Sequence, residues 1–230
     1  MPLPDPVPLN ADLMPSLRSL IKGLAALFWG LPITLLVCVQ SSITDWLRPM
    51  GVFPPLAATS LLLYGIVQLG HFQKQERVWR DALDAARLFA IVNIGLSPFI
   101  FLWSKLPHET FYSQMVGVMS LSSLLFLFTL NRVLQRLTAM LPDETLRAET
   151  NLFTAMNIYL MIGILFLVTL FLLVREIDEL PQLLIVTMDI LTQVRQVLLL
   201  FMVLLPLAMT MTLLWKIKEV VLAGIFGQRR

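Results

Sequence analysis

The sequence predicts an all-α membrane protein: a polytopic bundle of six transmembrane helices arranged as three hairpins, with amphipathic helices at the interface. Three observations predict it. The 230 residues are 57% hydrophobic and only 14% charged, against roughly 45–50% and 25% in soluble domains, and mean hydropathy is +0.80. The charges that remain are missing from six long stretches. The basic residues between those stretches gather on alternate connections.

The stretches set the elements. Between Lys22 and Asp45 lie 22 residues without Asp, Glu, Lys or Arg, and between Arg48 and Lys74 lie 25. The later gaps are 17 residues from Arg87 to Lys105, 22 from Glu109 to Arg132, 25 from Glu149 to Arg175 and 20 from Arg195 to Lys216. A helix needs about 20 apolar residues to cross a hydrocarbon core about 30 Å thick. Spans are therefore expected near 22–43, 54–73, 87–104, 111–134, 150–174 and 196–216, within a domain covering 18–218. The third is the shortest, and Arg87 and Lys105 at its ends are expected to snorkel to the headgroups. Leu121–Leu130 and Leu160–Val174 are apolar on every face, which suits a helix and not the alternating strand of a membrane barrel.

Residues 1–17 read as a proline-rich cytoplasmic tail, since Pro2, Pro4, Pro6, Pro8 and Pro15 prevent a regular helix. The first apolar stretch is longer than a signal-peptide core and lacks an A-x-A site, so no removable signal is expected. Residues 219–230 read as a cytoplasmic C-terminal tail. Orientation follows from basic residues in short connections. The N-terminus, the 2–3 and 4–5 connections and the C-terminus hold 13 of them, whereas Arg48, Lys105, Arg175 and Arg195 are the 4 on the other side. Both termini are thus expected in the cytoplasm, with a bacterial inner membrane as the default location. Trp46, Trp103, Tyr112, Trp79 and Trp215 fall near helix ends, where amphipathic rings prefer to sit.

The connections carry their own pattern. Phe72, Trp79, Leu83 and Ala86 share one helical face, and Glu76–Arg80, Arg77–Asp81 and Arg80–Asp84 are opposite-charge pairs four residues apart. An amphipathic helix is expected over 71–87, on the membrane surface or as a stalk continuing the second span. Lys74, Arg77, Trp79 and Arg80 are its candidate surface for a partner or acidic lipid. The run Arg132–Leu137 continues the fourth span as an amphipathic helix. Pro142 breaks the chain, and Asp143 and Glu144 open the next helix at the positive end of its dipole. Residues 176–195 form the longest exterior segment, with a bend expected near Gln193–Gln196.

The spans hold no charged side chain in their cores. Intramembrane charges mark proton relays, voltage sensors and ion pumps, so those classes are disfavoured. The uncharged polar residues Asn93, Ser97, Asn157, Gln68 and Tyr64 are candidates for a solute path or for contacts between helices. Leu88–Leu96 and Leu152–Leu160 agree at five of nine positions; if the hairpins are duplicated, Asn93 and Asn157 are equivalent. Ser113, Gly117 and Ser120 place small residues on one face of the fourth span, a candidate packing face. Gly95-Leu96-Ser97-Pro98 is the best candidate for an interrupted helix, the feature around which transporters build sites.

Enzyme motifs are lacking. His71 and His108 lie near opposite faces and cannot share a metal, and neither H-E-x-x-H nor G-x-S-x-G is present. Asp81–Arg87 lacks the glycine and later aspartates of a phosphotransferase metal site. Pro142–Arg147 fits a carrier box that the other hairpins do not repeat. The single Cys38 excludes an intrachain disulfide framework and is expected as a buried packing residue. No cofactor, metal or nucleic acid is expected. The partners expected are the lipid bilayer and other membrane proteins or a second copy. The expected role is a non-catalytic subunit or scaffold of a membrane complex; the alternative is a small permease or channel for a neutral or amphiphilic solute.

Overall fold

The computed structural model describes residues 13–44, 46–72, 76–140, 144–175 and 203–223. Every regular element among them is a helix. In chain order these are α1 (Leu13–Ile43), a 3-10 turn at Arg48–Met50, α2 (Phe53–Leu69), α3 (Arg77–Leu96), α4 (Pro98–Lys105), α5 (Thr110–Ala139) and α6 (Glu144–Arg175), then α7 over residues 203–223. Among the described residues four stretches are long and apolar enough to cross a membrane: Pro15–Ile43, Arg77–Lys105, Thr110–Ala139 and Glu144–Phe166. With 17 residues, α2 is about 26 Å long, a little short of the hydrocarbon core. The described part of α7 carries Lys216, Lys218 and Glu219 before its last turn, so its charge-free portion is shorter than its helix.

α1 and α2 run antiparallel in close contact. Leu20, Leu24, Leu27 and Leu31 recur every three or four residues and form one buried face; Leu62, Ile66 and Leu69 form the face of α2 that joins the same core. The approach depends on two glycines. A Cβ added at Gly23 would lie 2.4 Å from Leu69 Cδ1 and 2.9 Å from the carbonyl oxygen of Gly65, and one at Gly65 would lie 2.7 Å from Leu27 Cγ. Further along the pair, Thr34 Oγ1 donates to the carbonyl of Ala58 at 3.0 Å. Helices in lipid associate through such close packing and hydrogen bonds, because the tails around them are as apolar as leucine. Gly51, with φ +63, supplies the left-handed residue that turns the chain into α2, which opens on prolines at its first positions, where a missing N–H costs nothing.

The 71–87 segment differs from its sequence expectation. Among the described residues it is neither a separate surface helix nor an extension of α2: α2 ends at Leu69, and Arg77 begins the helix that runs on into the stretch expected as the third span. The reason is a continuous inner face. Trp79, Leu83, Ala86, Ala90 and Asn93 are buried at steps of four and three, so nothing at Arg87 ends the helix. The expected short third span is thus 29 residues long when α4 is included. Trp79 is fully buried, donates from Nε1 to the carbonyl of Phe72 at 3.0 Å, and meets the Phe72 ring edge-on at 6.4 Å. It belongs to the core and is not part of a partner or lipid surface. Arg77 and Arg80 are exposed, as that surface requires, and Lys74 lies outside the described residues.

The α3–α4 junction is a kink and not an unwound gap. Ser97 keeps helical dihedrals (φ -59, ψ -32), and its N–H still reaches the carbonyl of Asn93 at 2.9 Å. Pro98 has no N–H to offer Ile94, four residues back. Ser97 Oγ donates to that carbonyl instead, at 2.9 Å, so the backbone stays satisfied where a lipid environment demands it.

α5 packs between α3 and α6. Its amphipathic continuation is as expected: Val133, Leu134 and Leu137 are buried, while Arg132 and Arg136 are exposed. α6 starts at Glu144, in its first turn; Pro142 and Asp143 lie outside the described residues, as does the 176–195 segment with its expected bend. On α6, Leu146, Thr150, Thr154, Asn157 and Ile164 form the buried face, and Leu152, Met156, Tyr159, Ile162 and Phe166 point outward. α7 closes on α6 and α1. Lys216 Nζ meets Glu149 Oε2 at 2.5 Å, and the Phe28 and Trp215 rings lie 5.5 Å apart. The helical conformation runs through Ala223 and Val221 is buried, so 219–223 are part of the bundle and not of a separate tail. Likewise α1 already includes Leu13–Leu17, with Pro15 held in its first turn, where proline is tolerated.

Candidate functional site

A cavity of ≈ 330 Å³ opens inside the bundle between α1, α2, α3, α4, α5 and α7. That volume is at the lower end of the range for small-molecule pockets, about 300–1,000 Å³. Its wall is mainly Leu, Ile, Val, Met and Phe, with Thr34, Cys38, Ser42, Thr59, Asn93, the Trp103 indole, Ser120 and Ser123 as polar points, and none of the described lining residues is charged.

Most of the polar points are already engaged. Thr34 Oγ1 donates to Ala58 O, Thr59 Oγ1 to Pro55 O at 2.8 Å, and Ser120 Oγ to Val116 O at 2.9 Å. These are helix backbone carbonyls, which hold the hydroxyl protons within the wall. Asn93 differs. Its side chain is 3% exposed and its one hydrogen bond is from Ser123 Oγ to Oδ1, at 3.5 Å. Its Nδ2 makes no hydrogen bond among the described residues. The inner-face register of α3 places this amide in the wall, one turn before the Ser97–Pro98 kink.

A second polar cluster joins α5, α6 and α7. Thr210 Oγ1 donates to Pro206 O at 2.8 Å and accepts from Asn131 Nδ2 at 3.2 Å and Asn157 Nδ2 at 3.3 Å. Asn131 Nδ2 also reaches Leu127 O at 3.0 Å. All three side chains are 0–1% exposed. Asn157 Oδ1 and Thr154 Oγ1, one turn apart, have no partner. This cluster clasps three helices, and Asn157 does not line the cavity. Asn93 and Asn157 therefore occupy comparable inner positions on their own helices but face different surroundings.

The other sequence candidates are scattered. Ser97 is fully buried and works as the backbone patch at the kink. Tyr64 is exposed and Gln68 half-buried on α2. Ser113, Gly117 and Ser120 lie exposed on α5, Ser120 at the edge of the cavity, and a Cβ at Gly117 would meet nothing within 4 Å among the described residues; the close crossing among those residues is made by Gly23 and Gly65. Cys38 is half-buried in the cavity wall and not sealed in a core. Asn131 was not singled out in the sequence, because it adjoins Arg132 at the edge of a charge-free stretch. Among the described residues no three His, Cys, Asp or Glu side chains gather to hold a metal ion. No protein-family model matches the chain, and no curated protein or solved structure matches it.

Proposed function

We propose that the chain is a multi-pass membrane protein that holds a neutral amphiphile inside its bundle and performs no chemistry on it. The observation that carries this reading is the uncharged, largely apolar cavity with polar groups at a few points of its wall. Such a wall suits a molecule that partitions from lipid and carries one small polar group. The outward display of Leu152, Tyr159, Ile162 and Phe166 on α6, and of Leu36, Leu88 and Ile91 elsewhere, supports burial of the bundle in lipid, since soluble proteins rarely expose apolar patches of that extent. Six crossings with both termini cytoplasmic follow from the charge-free stretches and the distribution of basic residues.

Cys38 supplies the test, because it is the chain's only cysteine and stands in the cavity wall. In reconstituted vesicles its reaction with N-ethylmaleimide is expected to slow as decanol is added and then to plateau. A cysteine placed at the lipid-facing Tyr159, in a Cys38→Ser background, is expected to react at an unchanged rate. Equal responses at the two positions would refute cavity occupancy.

A second reading, the non-catalytic subunit of a membrane complex, is favoured by one observation. Ser113 and Gly117, with Ser120 at the edge of the cavity, form an exposed face of small residues on α5, the kind of surface on which another helix seats closely. The two readings are compatible.

A further inference from the structure

We infer that the ligand of the cavity carries a neutral carbonyl oxygen, and that the carboxamide of Asn93 with the hydroxyl of Ser123 is the seat for that oxygen. The inference rests on the amphiphile-holding reading and names the chemistry it selects. Asn93 is almost wholly enclosed by protein, yet its Nδ2 has no hydrogen-bond partner among the described residues. An amide has two N–H donors and two acceptor lone pairs. Here one acceptor site is touched, weakly, by Ser123 Oγ at 3.5 Å, and both donors are unspent. Asn93 Nδ2 is not among the side-chain atoms sealed in protein without a partner, so its donors are open to the cavity, and a donor that faces an apolar space without an acceptor is costly. The cavity that Asn93 and Ser123 both line is the space from which an acceptor can reach them. Ser123 Oγ, held only by a long contact, can turn its proton to the same oxygen.

The rest of the wall narrows the class. Thr34, Ser42, Thr59 and Ser120 have already given their protons to carbonyls, so the hydroxyls elsewhere offer little to a second polar group, and the Trp103 indole N–H is the other donor in the wall. No Lys, Arg or His is among the described lining residues, so a carboxylate or phosphate would be buried without a counter-charge, which is strongly unfavourable. A ketone, ester, amide or quinone oxygen on an apolar body fits; an anionic lipid headgroup does not.

The test uses the full chain in nanodiscs and three alkyl diazirine probes of equal length, bearing a methyl ketone, a plain hydrocarbon end or a carboxylate. After photolysis, labelling is mapped by mass spectrometry. The peptide containing Met119, in the cavity wall, is compared with that containing Met156, which faces outward, so the ratio cancels partitioning into lipid. The ketone probe is expected to give a ratio roughly threefold to tenfold above the hydrocarbon probe, the factor that one net hydrogen bond supplies. The carboxylate probe is expected to give no enrichment. Asn93→Leu, similar in volume, is expected to bring the ketone ratio down to the hydrocarbon value, and Ser123→Ala to lower it partly in a chain less altered. Equal ratios for ketone and hydrocarbon, or a ketone preference that survives both substitutions, overturn the carbonyl seat while leaving cavity occupancy standing. A cavity peptide labelled by no probe above the lipid-facing one overturns both.

Discussion

Replacing Gly23 with alanine tests whether α1 and α2 meet as tightly as their geometry states. The added methyl would fall 2.4 Å from Leu69 Cδ1, 2.9 Å from Gly65 O and 3.0 Å from Leu69 N. The first contact is with the end of a flexible side chain and can be relieved by a rotamer change. The other two are with backbone, so the helices themselves must separate. Overpacking of this kind costs about 1–3 kcal/mol. Gly95 provides the internal control, since a Cβ there meets nothing within 4 Å. Both changes gain the same helix propensity, up to about 1 kcal/mol, so that contribution cancels in the comparison. Gly23→Ala should thus be less stable than Gly95→Ala by about 1–3 kcal/mol, or roughly 2–12 °C in melting temperature for a chain of this size. Thermal unfolding in mild detergent, followed by circular dichroism, measures the difference. If Gly23→Ala and Gly95→Ala melt together, the α1–α2 crossing is looser than described and the argument from glycine contacts fails.

Two further outcomes follow from the same structure. Thr210→Val removes the hydroxyl on which Asn131 and Asn157 converge and should destabilise the fold by about 1–3 kcal/mol, read by the same melting assay; a neutral result would mean that the three-helix clasp is not formed. Reporter tags fused at each terminus should both report the cytoplasmic face, as the distribution of basic residues requires, and tags on opposite faces would refute an even number of crossings.

The helices were legible in the sequence because their cause is local. A stretch without charges, bounded by charges, has few options in lipid other than a helix, and the three-to-four residue repeat of Trp79, Leu83 and Ala86 identified the inner face of α3 before any partner was known. Ownership was harder to read. The charged residues of 77–87 lower the local hydropathy, so that segment read as an interfacial helix although its buried face continues unbroken into Ala90 and Asn93. Small residues announced a close crossing without saying where. Gly117 and Gly23 look alike in sequence, yet among the described residues only Gly23 of the two has a neighbouring helix against it. The partner at Gly65 lies 42 residues further along, and no local pattern encodes that distance.

Two of the three buried asparagines, Asn131 and Asn93, show how the same residue type divides between holding the fold and the proposed contact with a ligand. Asn131 spends its amide protons on Leu127 and Thr210, 79 residues apart from it in the second case, and so ties α5 to α7. Asn93 sits just as deep, on an equally regular inner face, and leaves its donors facing a cavity. A satisfied buried amide adds to the bundle's stability; an unsatisfied one subtracts from it unless something else supplies the missing acceptor. Replacement of Asn93 by an apolar residue would remove that deficit at once, whereas its carboxamide makes sense in the wall when an oxygen from outside the chain comes to it. Asn157, inside the clasp, also has an unpartnered Oδ1, so what sets Asn93 apart is the cavity in front of its donors, and that position makes it the proposed seat.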